Sequence, residues 1–326
     1  GLDGVLCLVD PPRVEPAQPE PLLERYDLLG KVVREARLPV VVLSNTCLDL
    51  TPFGRAVAER IGVHFVAGIE HGMRALSNAL WWTEARSALQ ARPFTPDAQP
   101  TISLEAPPQG VWSEFQARQL LQSAGVPVVP GALVTDAEAA VAAAQTFAAP
   151  VALKIQASAI VHKSDVGGVL LNLRSEEEVR QGFQRLMERM QAQFPALTPD
   201  GVLVSPMRPT GTELLVGIVC DQVWGPFLTV GLGGVWTEVL KDTSVRVLPV
   251  DREDIYAMLQ ELRGFPLLTG ARGQQPADLA ALVEVIFQVS LVAQALRASL
   301  VSLELNPLLV SGALVEALDV LITWKD

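Results

Sequence analysis

Cysteine is scarce in this chain, and the scarcity excludes two kinds of stabilising framework. Only Cys7, Cys47 and Cys220 occur in 326 residues. They are too few and too scattered for a disulfide network or a cysteine-based zinc site. We therefore expect three isolated, buried thiols.

Long apolar runs and an N-terminal leader are also missing. No segment combines the length and unbroken apolarity of a membrane span, and the first residues lack the pattern of a secretory signal. The sequence therefore predicts a cytoplasmic protein with no membrane partner. It begins Gly1-Leu2-Asp3 without a methionine, which indicates a processed, truncated or fragmentary N-terminus.

Basic residues are fewer than acidic ones in this chain. The chain has 25 Lys and Arg against 36 Asp and Glu, a net charge of −11. This balance argues against nucleic acid as the main partner. The length and a hydrophobic content of 49% are ordinary for an enzyme of two or three domains. To bind an anionic nucleotide, such a protein must concentrate its cations locally.

Residues 1–90 alternate apolar runs with amphipathic segments. Strands are predicted at 4–9, 39–44 and 64–68, and helices at 21–36, 52–61 and 69–86. The alternation is typical of a doubly wound parallel sheet. Ser44, Asn45 and Thr46 follow the second strand, where ligands bind in such sheets, but turn formation explains them equally well. Three strands are few, so we expect an incomplete domain.

A proline-rich stretch at 91–111 predicts a semi-rigid linker between domains. Beyond it, residue pairs of the capping-box type predict helix starts at Ser113/Gln116, Thr135/Glu138 and Ser175/Glu178. Further strands are predicted at 201–206, 213–220, 226–231, 301–310 and 313–322, and helices near 251–262 and 276–298. This mixture of strands and capped helices predicts an α+β domain at 112–326.

The stretch PVALKIQASAIVHKSDVGGVLLNL, residues 150–173, reads as two apolar strands joined by a polar loop. Lys154, Lys163 and Ser164, with the free amides around Gly167 and Gly168, could cradle the phosphates of a nucleotide. The spacing is not that of a P-loop. A glycine hairpin with solvated charges is an equally good interpretation of this stretch alone.

Oxygen donors recur near the C-terminus. Glu304 and Asn306 are two residues apart and so share one face of a strand, and Asp319 belongs to the neighbouring strand. Such side chains suit Mg²⁺. From these residues alone, a turn at Asn306-Pro307 and an ordinary strand-end acid at Asp319 are the better interpretations.

Several blocks in the same order resemble the NDP-forming acyl-CoA synthetases, relatives of succinyl-CoA synthetase. The blocks are PVALKI…HKSDVGGV, GVLVSPM, GTELLVGIVCD, GPFLTVGLGGVWTEVLKD, GARGQQPADL and LELNPLLV. The resemblance spans essentially all of residues 112–326 and implies an ATP-grasp fold, with a lid subdomain at about 130–198. Residues 1–90 resemble the later part of the family's flavodoxin-like CoA-ligase domain.

The resemblance also assigns roles to residues. It implies Asn306 and Asp319, with Glu304, as magnesium ligands, and Lys154 as a phosphate contact. Val204 to Met207 would line the adenine site, although Ser205 replaces the family's usual Gln, and Glu213 would lie at the cleft. His162 beside Lys163 could carry a phosphoryl group as a second relay, because the family's main phosphohistidine belongs to a domain that these residues do not contain. The GLGG loop with Glu238, Lys241 and Arg246 could receive that domain.

The implied reaction is carboxylate + CoA + ATP ⇌ acyl-CoA + ADP + phosphate. This chain would bind Mg-ATP, or another nucleoside triphosphate, and transfer the γ-phosphoryl group to a histidine. CoA-binding and phosphohistidine domains would come from upstream sequence or another subunit, and a homo-oligomer is possible. Two alternatives stay open: a nucleotide-sensing regulatory module, favoured by a fused acetyltransferase domain, and an inactive ATP-grasp scaffold, favoured by absence of magnesium-dependent ATP binding.

Overall fold

The protein divides into two units, Gly1–Pro96 and Asp97–Asp326. A computed structural model describes residues 4–91, 102, 109–147, 150–157, 160, 163–234, 242–271 and 275–325. Most of the predicted linker at 91–111 therefore lies outside the described residues. So do His162, Glu238 and Lys241.

The first unit is built on a three-stranded parallel sheet in the order β1-β2-β3. Its elements are β1 (Val5–Leu8), α1 (Glu20–Glu35), β2 (Val40–Leu43), α2 (Pro52–Ile61), β3 (Phe65–Val66) and α3 (Ile69–Ala91). Val42, Ile61, Val63 and Phe65 form its core. The predicted parallel strand–helix alternation is confirmed.

The second unit contains two antiparallel sheets with separate hydrophobic cores. The smaller sheet has the order β4-β7-β5-β6. Its strands are β4 (Ala132–Val134), β5 (Val151–Gln156), β6 (Val169–Leu173) and β7 (Gly201–Pro206), and its helices are α5 (Ala137–Thr146) and α6 (Glu176–Gln193). Because β7 lies between β4 and β5, this sheet extends beyond the predicted lid boundary near residue 198.

The larger sheet has the order β10-β9-β8-β11-β12, with β13 paired to the other part of β11. Its strands are β8 (Thr212–Asp221), β9 (Gly225–Leu232), β10 (Thr243–Val247), β11 (Leu300–Ser311), β12 (Leu314–Ala317) and β13 (Val320–Trp324). The helices of this half are α4 (Glu114–Ser123), α7 (Arg252–Glu261), α8 (Phe265–Leu268) and α9 (Leu279–Leu296). One face of the sheet, with Leu214, Val216 and Ile218, belongs to the core that the helices share.

Helix α9 is long and apolar enough to cross a membrane, judged by length and composition among the described residues. The expectation that no segment passes this test is therefore wrong. The physical reason is burial: eleven of its residues, among them Leu282, Ile286 and Val289, are buried in the core of the larger sheet. A helix surrounded by protein on most faces needs no polar stripe.

Three local predictions also need correction. The cap of α5 is Asp136, whose carboxylate accepts a hydrogen bond from the Ala139 N–H, and not Thr135. The single closing strand predicted at 313–322 is two strands, β12 and β13, and strand β10 was not predicted. Of the three thiols, Cys47 is exposed and the other two are half-buried.

Candidate functional site

Lys154 lies on β5 of the smaller sheet and contacts groups of the larger half. Its ammonium donates to Glu114 Oε1 at 2.9 Å, to the Leu318 carbonyl at 2.9 Å and to Asp319 Oδ2 at 3.0 Å. A lysine has three N–H donors, so protein acceptors occupy all of them. Lys154 therefore joins the two sheets, and protein acceptors engage the ammonium for which the sequence predicted a phosphate contact.

Glu114 is the anionic centre of this cluster. The capping box of Ser113 and Gln116 fixes the first turn of α4, and Glu114 is its first residue. Its side chain is 0% exposed and contacts Arg118 and Lys154, while Lys163 Nζ lies 3.3 Å from Oε2. Glu114 is not distinguished by its local sequence, because an acidic residue in the first turn of a helix is explained by the helix dipole.

The charges around Glu114 decide its ionisation. Burial by itself would raise the pKa of this carboxyl, but the positive charges of Lys154, Arg118 and Lys163 outweigh burial and lower it to about 2. Asp319 shifts the other way, because burial and the negative charge of Glu114 raise its pKa against the opposing lysines. Glu114 is thus an anion at neutral pH, whereas Asp319 is held less firmly in its charged form.

Arg118 makes a second connection between the halves. Its guanidinium donates to Ser205 Oγ on β7 at 3.0 Å, to the Val129 carbonyl at 3.2 Å and to the Leu318 carbonyl at 2.6 Å. Ser205, predicted near the adenine site, thus contacts Arg118. Neither Arg118 nor its contact could be found from local sequence, because the partners lie 87 and 200 residues away.

The predicted phosphate loop contains a tight turn closed by glycine. The Gly168 N–H donates to the Lys163 carbonyl at 2.7 Å and the Gly167 N–H to the Ser164 carbonyl at 3.0 Å. Gly167 has a φ of 63°, so this is the glycine-terminated pattern that closes helices. The two glycine amides are therefore bonded within the turn, and the expectation that they are free for phosphate is wrong in this structure.

Glu304 and Asn306 lie at a bulge in β11, and Asp319 lies beside them. The register with β8 shifts between Leu305 and Leu308, around the cis Asn306-Pro307 bond. The Asn306 N–H donates to the Asp319 carbonyl at 3.2 Å, and its side-chain amide donates to Glu304 Oε1 at 3.0 Å.

A cavity of about 260 Å³ joins these residues to the glycine-closed turn. Its lining includes Lys163, Ser164, Asp165, Glu304, Asn306 and Asp319. Lysine and hydroxyl donors thus face carboxylate and amide oxygens across the space between the sheets. This combination suits a phosphate chain carrying a divalent cation.

Other predicted site residues do not line this cavity. Val204 is fully buried, and the Met207 N–H donates to the Pro150 carbonyl at 2.7 Å. Glu213 is exposed on β8, where its carbonyl accepts from the Gly233 N–H at 2.7 Å. Arg246 pairs with Glu261.

Polar residues also collect at the carboxyl end of the parallel sheet in the first unit. The Asp10 carboxylate accepts hydrogen bonds from Ser44 Oγ at 2.7 Å and from the Asn45 N–H at 2.7 Å. These bonds, with the Asn45 side chain, lower the pKa of Asp10. Ser44 and Asn45 therefore organise a turn around Asp10, a residue for which the sequence alone gives no signal.

Comparison with protein-family models gives a match to the ATP-grasp domain over residues 104–323. This chain belongs to the ATP-grasp family. Proteins similar to this chain include trans-feruloyl-CoA synthase from an unknown prokaryotic organism, 41% identical over 214 residues, and the β subunit of ADP-forming acetate–CoA ligase II of Pyrococcus furiosus, 34% identical over 197 residues. The expected relationship to NDP-forming acyl-CoA synthetases is confirmed.

This chain matches very different fractions of the two relatives. It spans 30% of the length of trans-feruloyl-CoA synthase but 84% of the Pyrococcus β subunit, and the matches cover 65% and 60% of this chain. The match to trans-feruloyl-CoA synthase thus takes in less than a third of that enzyme.

Solved structures give the same ATP-grasp fold. An acetyl-coenzyme A synthetase of Candidatus Korarchaeum cryptofilum, in complex with coenzyme A and Ca-AMPCP, aligns with a TM-score of 0.64 at 34% identity, covering 66% of this chain and 94% of that one. A second structure of that enzyme, with coenzyme A and Mg-AMPPCP, has its phosphohistidine segment pointing towards the nucleotide binding site, and aligns with a TM-score of 0.56 at 33% identity, covering 65% and 93%. The fold and the expected cofactors, ATP, Mg²⁺ and CoA, agree with this family.

The residues at the cavity fit a divalent cation with bound phosphate better than a cation held by protein alone. Among the described residues, no group of three His, Cys, Asp or Glu side chains converges as a metal site. The candidate set is two carboxylates and one amide, Glu304, Asp319 and Asn306. Mg²⁺ commonly takes one or two carboxylates and completes its shell with substrate phosphates and water.

Proposed function

We propose that this chain is the nucleotide-binding part of an ADP-forming acyl-CoA synthetase. It binds Mg-ATP between the two sheets of its second unit and passes the γ-phosphoryl group to a histidine. The observation that carries the proposal is the shared cavity, which joins Lys163 and Ser164 to Glu304, Asn306 and Asp319.

The chemistry asked of the protein is positioning and charge neutralisation. Lys163 and Ser164 would donate to phosphate oxygens from one side. Glu304, Asn306 and Asp319 would hold Mg²⁺ on the other side, where the ion would neutralise charge on the phosphates. In the transfer, a histidine nitrogen bonds to the γ-phosphorus, the bond to the bridging oxygen breaks, and ADP leaves.

The complete reaction needs more than this nucleotide-binding part. We assign residues 112–326 to the ATP-grasp domain and residues 1–90 to part of a flavodoxin-like CoA-ligase domain. CoA binding and the main phosphohistidine would come from further domains or a partner subunit, as the naming of a β subunit in Pyrococcus supports. The substrate class would be a carboxylic acid, and the location the cytoplasm.

Calorimetric titration with ATP tests the proposal. We expect binding in Mg²⁺ that is lost in EDTA, and an affinity at least about tenfold lower for Asn306→Ala, because one ligand is removed. Asn78→Ala, at an exposed position on α3, is the matched control and should bind like the wild type. Absence of magnesium-dependent ATP binding in the folded wild-type protein would contradict the proposal and favour an inactive scaffold.

A further inference from the structure

Arg189 binds the turn that carries two of the cavity residues. Its guanidinium Nη1 donates a hydrogen bond to the Gly167 carbonyl at 2.8 Å. The turn at 163–168 includes Lys163 and Ser164, which line the cavity on the side proposed for the phosphates. A charged donor forms a stronger hydrogen bond with a carbonyl than a neutral donor does. Arg189 therefore connects this turn to helix α6, on which it lies.

Helix α6 holds Arg189 in a defined position. Leu186 and Met190, on the same helix, are each 1% exposed and belong to the core of the smaller sheet. Arg189 itself is exposed and is not part of that core among the described residues. Replacing Arg189 should therefore release the turn while the helix stays packed.

The contact between Arg189 and Gly167 is close, and the turn transmits it to the cavity. A Cβ at 167 would lie against the guanidinium of Arg189 and 3.4 Å from its Cδ, so the arginine side chain covers this face of the glycine. The next residue, Gly168, donates its N–H to the Lys163 carbonyl at 2.7 Å. A displacement of the two glycines would therefore displace Lys163 as well.

We propose that Arg189 is a positioning residue for nucleotide binding. By holding the Gly167 carbonyl, it sets where Lys163 and Ser164 meet the phosphates. Arg189 is absent from the described residues that line the cavity, so it acts through the turn and not on the ligand. The inference rests on the proposed function and adds to it a residue outside the cavity.

Calorimetric titration of the full chain with Mg-ATP tests the proposal. We expect Arg189→Met to bind about fivefold to tenfold more weakly than the wild type, because a released turn presents Lys163 in the binding geometry for only a fraction of the time. Arg189→Lys keeps a charged donor and should bind more tightly than Arg189→Met. Arg185→Met is the matched control: Arg185 is exposed on the same helix, makes no hydrogen bond or ion pair within the described part of the chain, and should be replaceable without effect.

A double-mutant cycle separates positioning from a general contribution to stability. In a chain that already carries Lys163→Met, the loss of Arg189 should weaken Mg-ATP binding clearly less than it does in the wild type, since one of the contacts that Arg189 positions is gone. The urea midpoint of unfolding should be the same in Arg189→Met and the wild type, because the substituted side chain is exposed.

The outcomes distinguish this inference from the proposed function. Equal Mg-ATP affinities in the wild type and Arg189→Met, or an equal effect of Arg189→Met with and without Lys163, would overturn the inference while the proposed function stands. A large fall in the unfolding midpoint of Arg189→Met, or its failure to fold, would also overturn it, because Arg189 would then act on stability. Failure of the folded wild type to bind Mg-ATP would overturn both.

Discussion

The carboxylate of Glu114 is surrounded by three cationic side chains and excluded from water. Replacing Glu114 with Ala removes the carboxylate that neutralises Arg118, Lys154 and Lys163. Their buried positive charges are then left without enough compensating negative charge. We expect Glu114→Ala to lower the free energy of unfolding by about 3–5 kcal/mol in urea titration. Glu188→Ala, exposed on α6, should change it by less than about 0.5 kcal/mol. Similar values for the two variants would contradict the electrostatic account.

The same residue predicts a pH dependence. The folded pKa of Glu114 is lowered to about 2 from an ordinary value of 4.5, so its stabilising charge is fully present above pH 4.5 and is lost as pH falls towards 2. The difference in unfolding free energy between wild type and Glu114→Gln should therefore shrink as the solution is acidified through this range. A difference that stays constant with pH would show that Glu114 does not act through its charge. Asp319, whose pKa is raised by burial and by the charge of Glu114, contributes with the opposite sign in the wild type.

Gly167 links backbone conformation to the site. Its φ of 63° is the left-handed region, and a Cβ there would lie 2.0 Å from Arg189 Nη1. We expect Gly167→Ala to displace the turn that carries Lys163 and Ser164 and to weaken ATP binding about tenfold in calorimetry. Gly225 has a φ of 81° with open space around it, so Gly225→Ala carries the same kind of strain away from the cavity. Equal ATP affinities in the two variants would show that the turn does not position the phosphates.

For helices and strands, the sequence correctly predicted the features that depend only on residues close together in the chain. The capping boxes at Ser113 and Ser175 are present as predicted, because each needs only residues three positions apart. The cap of α5 was misassigned by one residue, since Thr135 and Asp136 are both good cap residues and only backbone geometry chooses between them. Strand β10, five residues at the edge of its sheet, was not predicted.

This choice of cap can be measured. Asp136→Ala removes the acceptor for the Ala139 N–H and should destabilise the protein by about 1 kcal/mol. Thr135→Ala, at the neighbouring exposed position, should cost no more than a few tenths of that. Urea unfolding of the two variants measures both losses of stability. A larger loss for Thr135→Ala would show that Thr135, the residue predicted from the sequence, is the cap.

The candidate site was predicted in its residue types but not in its connections. Lys163, Ser164 and the oxygen donors at 304, 306 and 319 could be named from sequence blocks. The contacts of Lys154 with Glu114 and Asp319 could not, because they join residues 40 and 165 positions apart. Such pairing depends on how the two sheets pack, which local patterns do not record.

At the scale of the whole molecule, the described residues that form the cores of the second unit include none from the first. Residues 97–326 alone should therefore fold and bind Mg-ATP within about threefold of the full chain, as measured by calorimetry. A fragment that unfolds would mean that the first unit stabilises the second, and a folded fragment that loses ATP binding would mean that the first unit contributes to the nucleotide site.

The assignment of nucleotide binding to this chain and of CoA binding to other domains gives a second prediction for the whole molecule. The purified chain, incubated with ATP, Mg²⁺, CoA and a carboxylic acid, should form no acyl-CoA, since CoA binding and the main phosphohistidine are assigned to other domains. Chromatography of the reaction mixture checks this. Sustained acyl-CoA formation by the chain alone would contradict the assignment.

The position of the metal is the most direct test of the central claim. In crystals of the full chain grown with Mn²⁺ and AMPPCP, anomalous scattering should place manganese within about 2.5 Å of oxygens of Asn306 and Asp319, with the phosphates against Lys163. An anomalous peak outside this cavity, or phosphates bound elsewhere on the protein, would contradict the account.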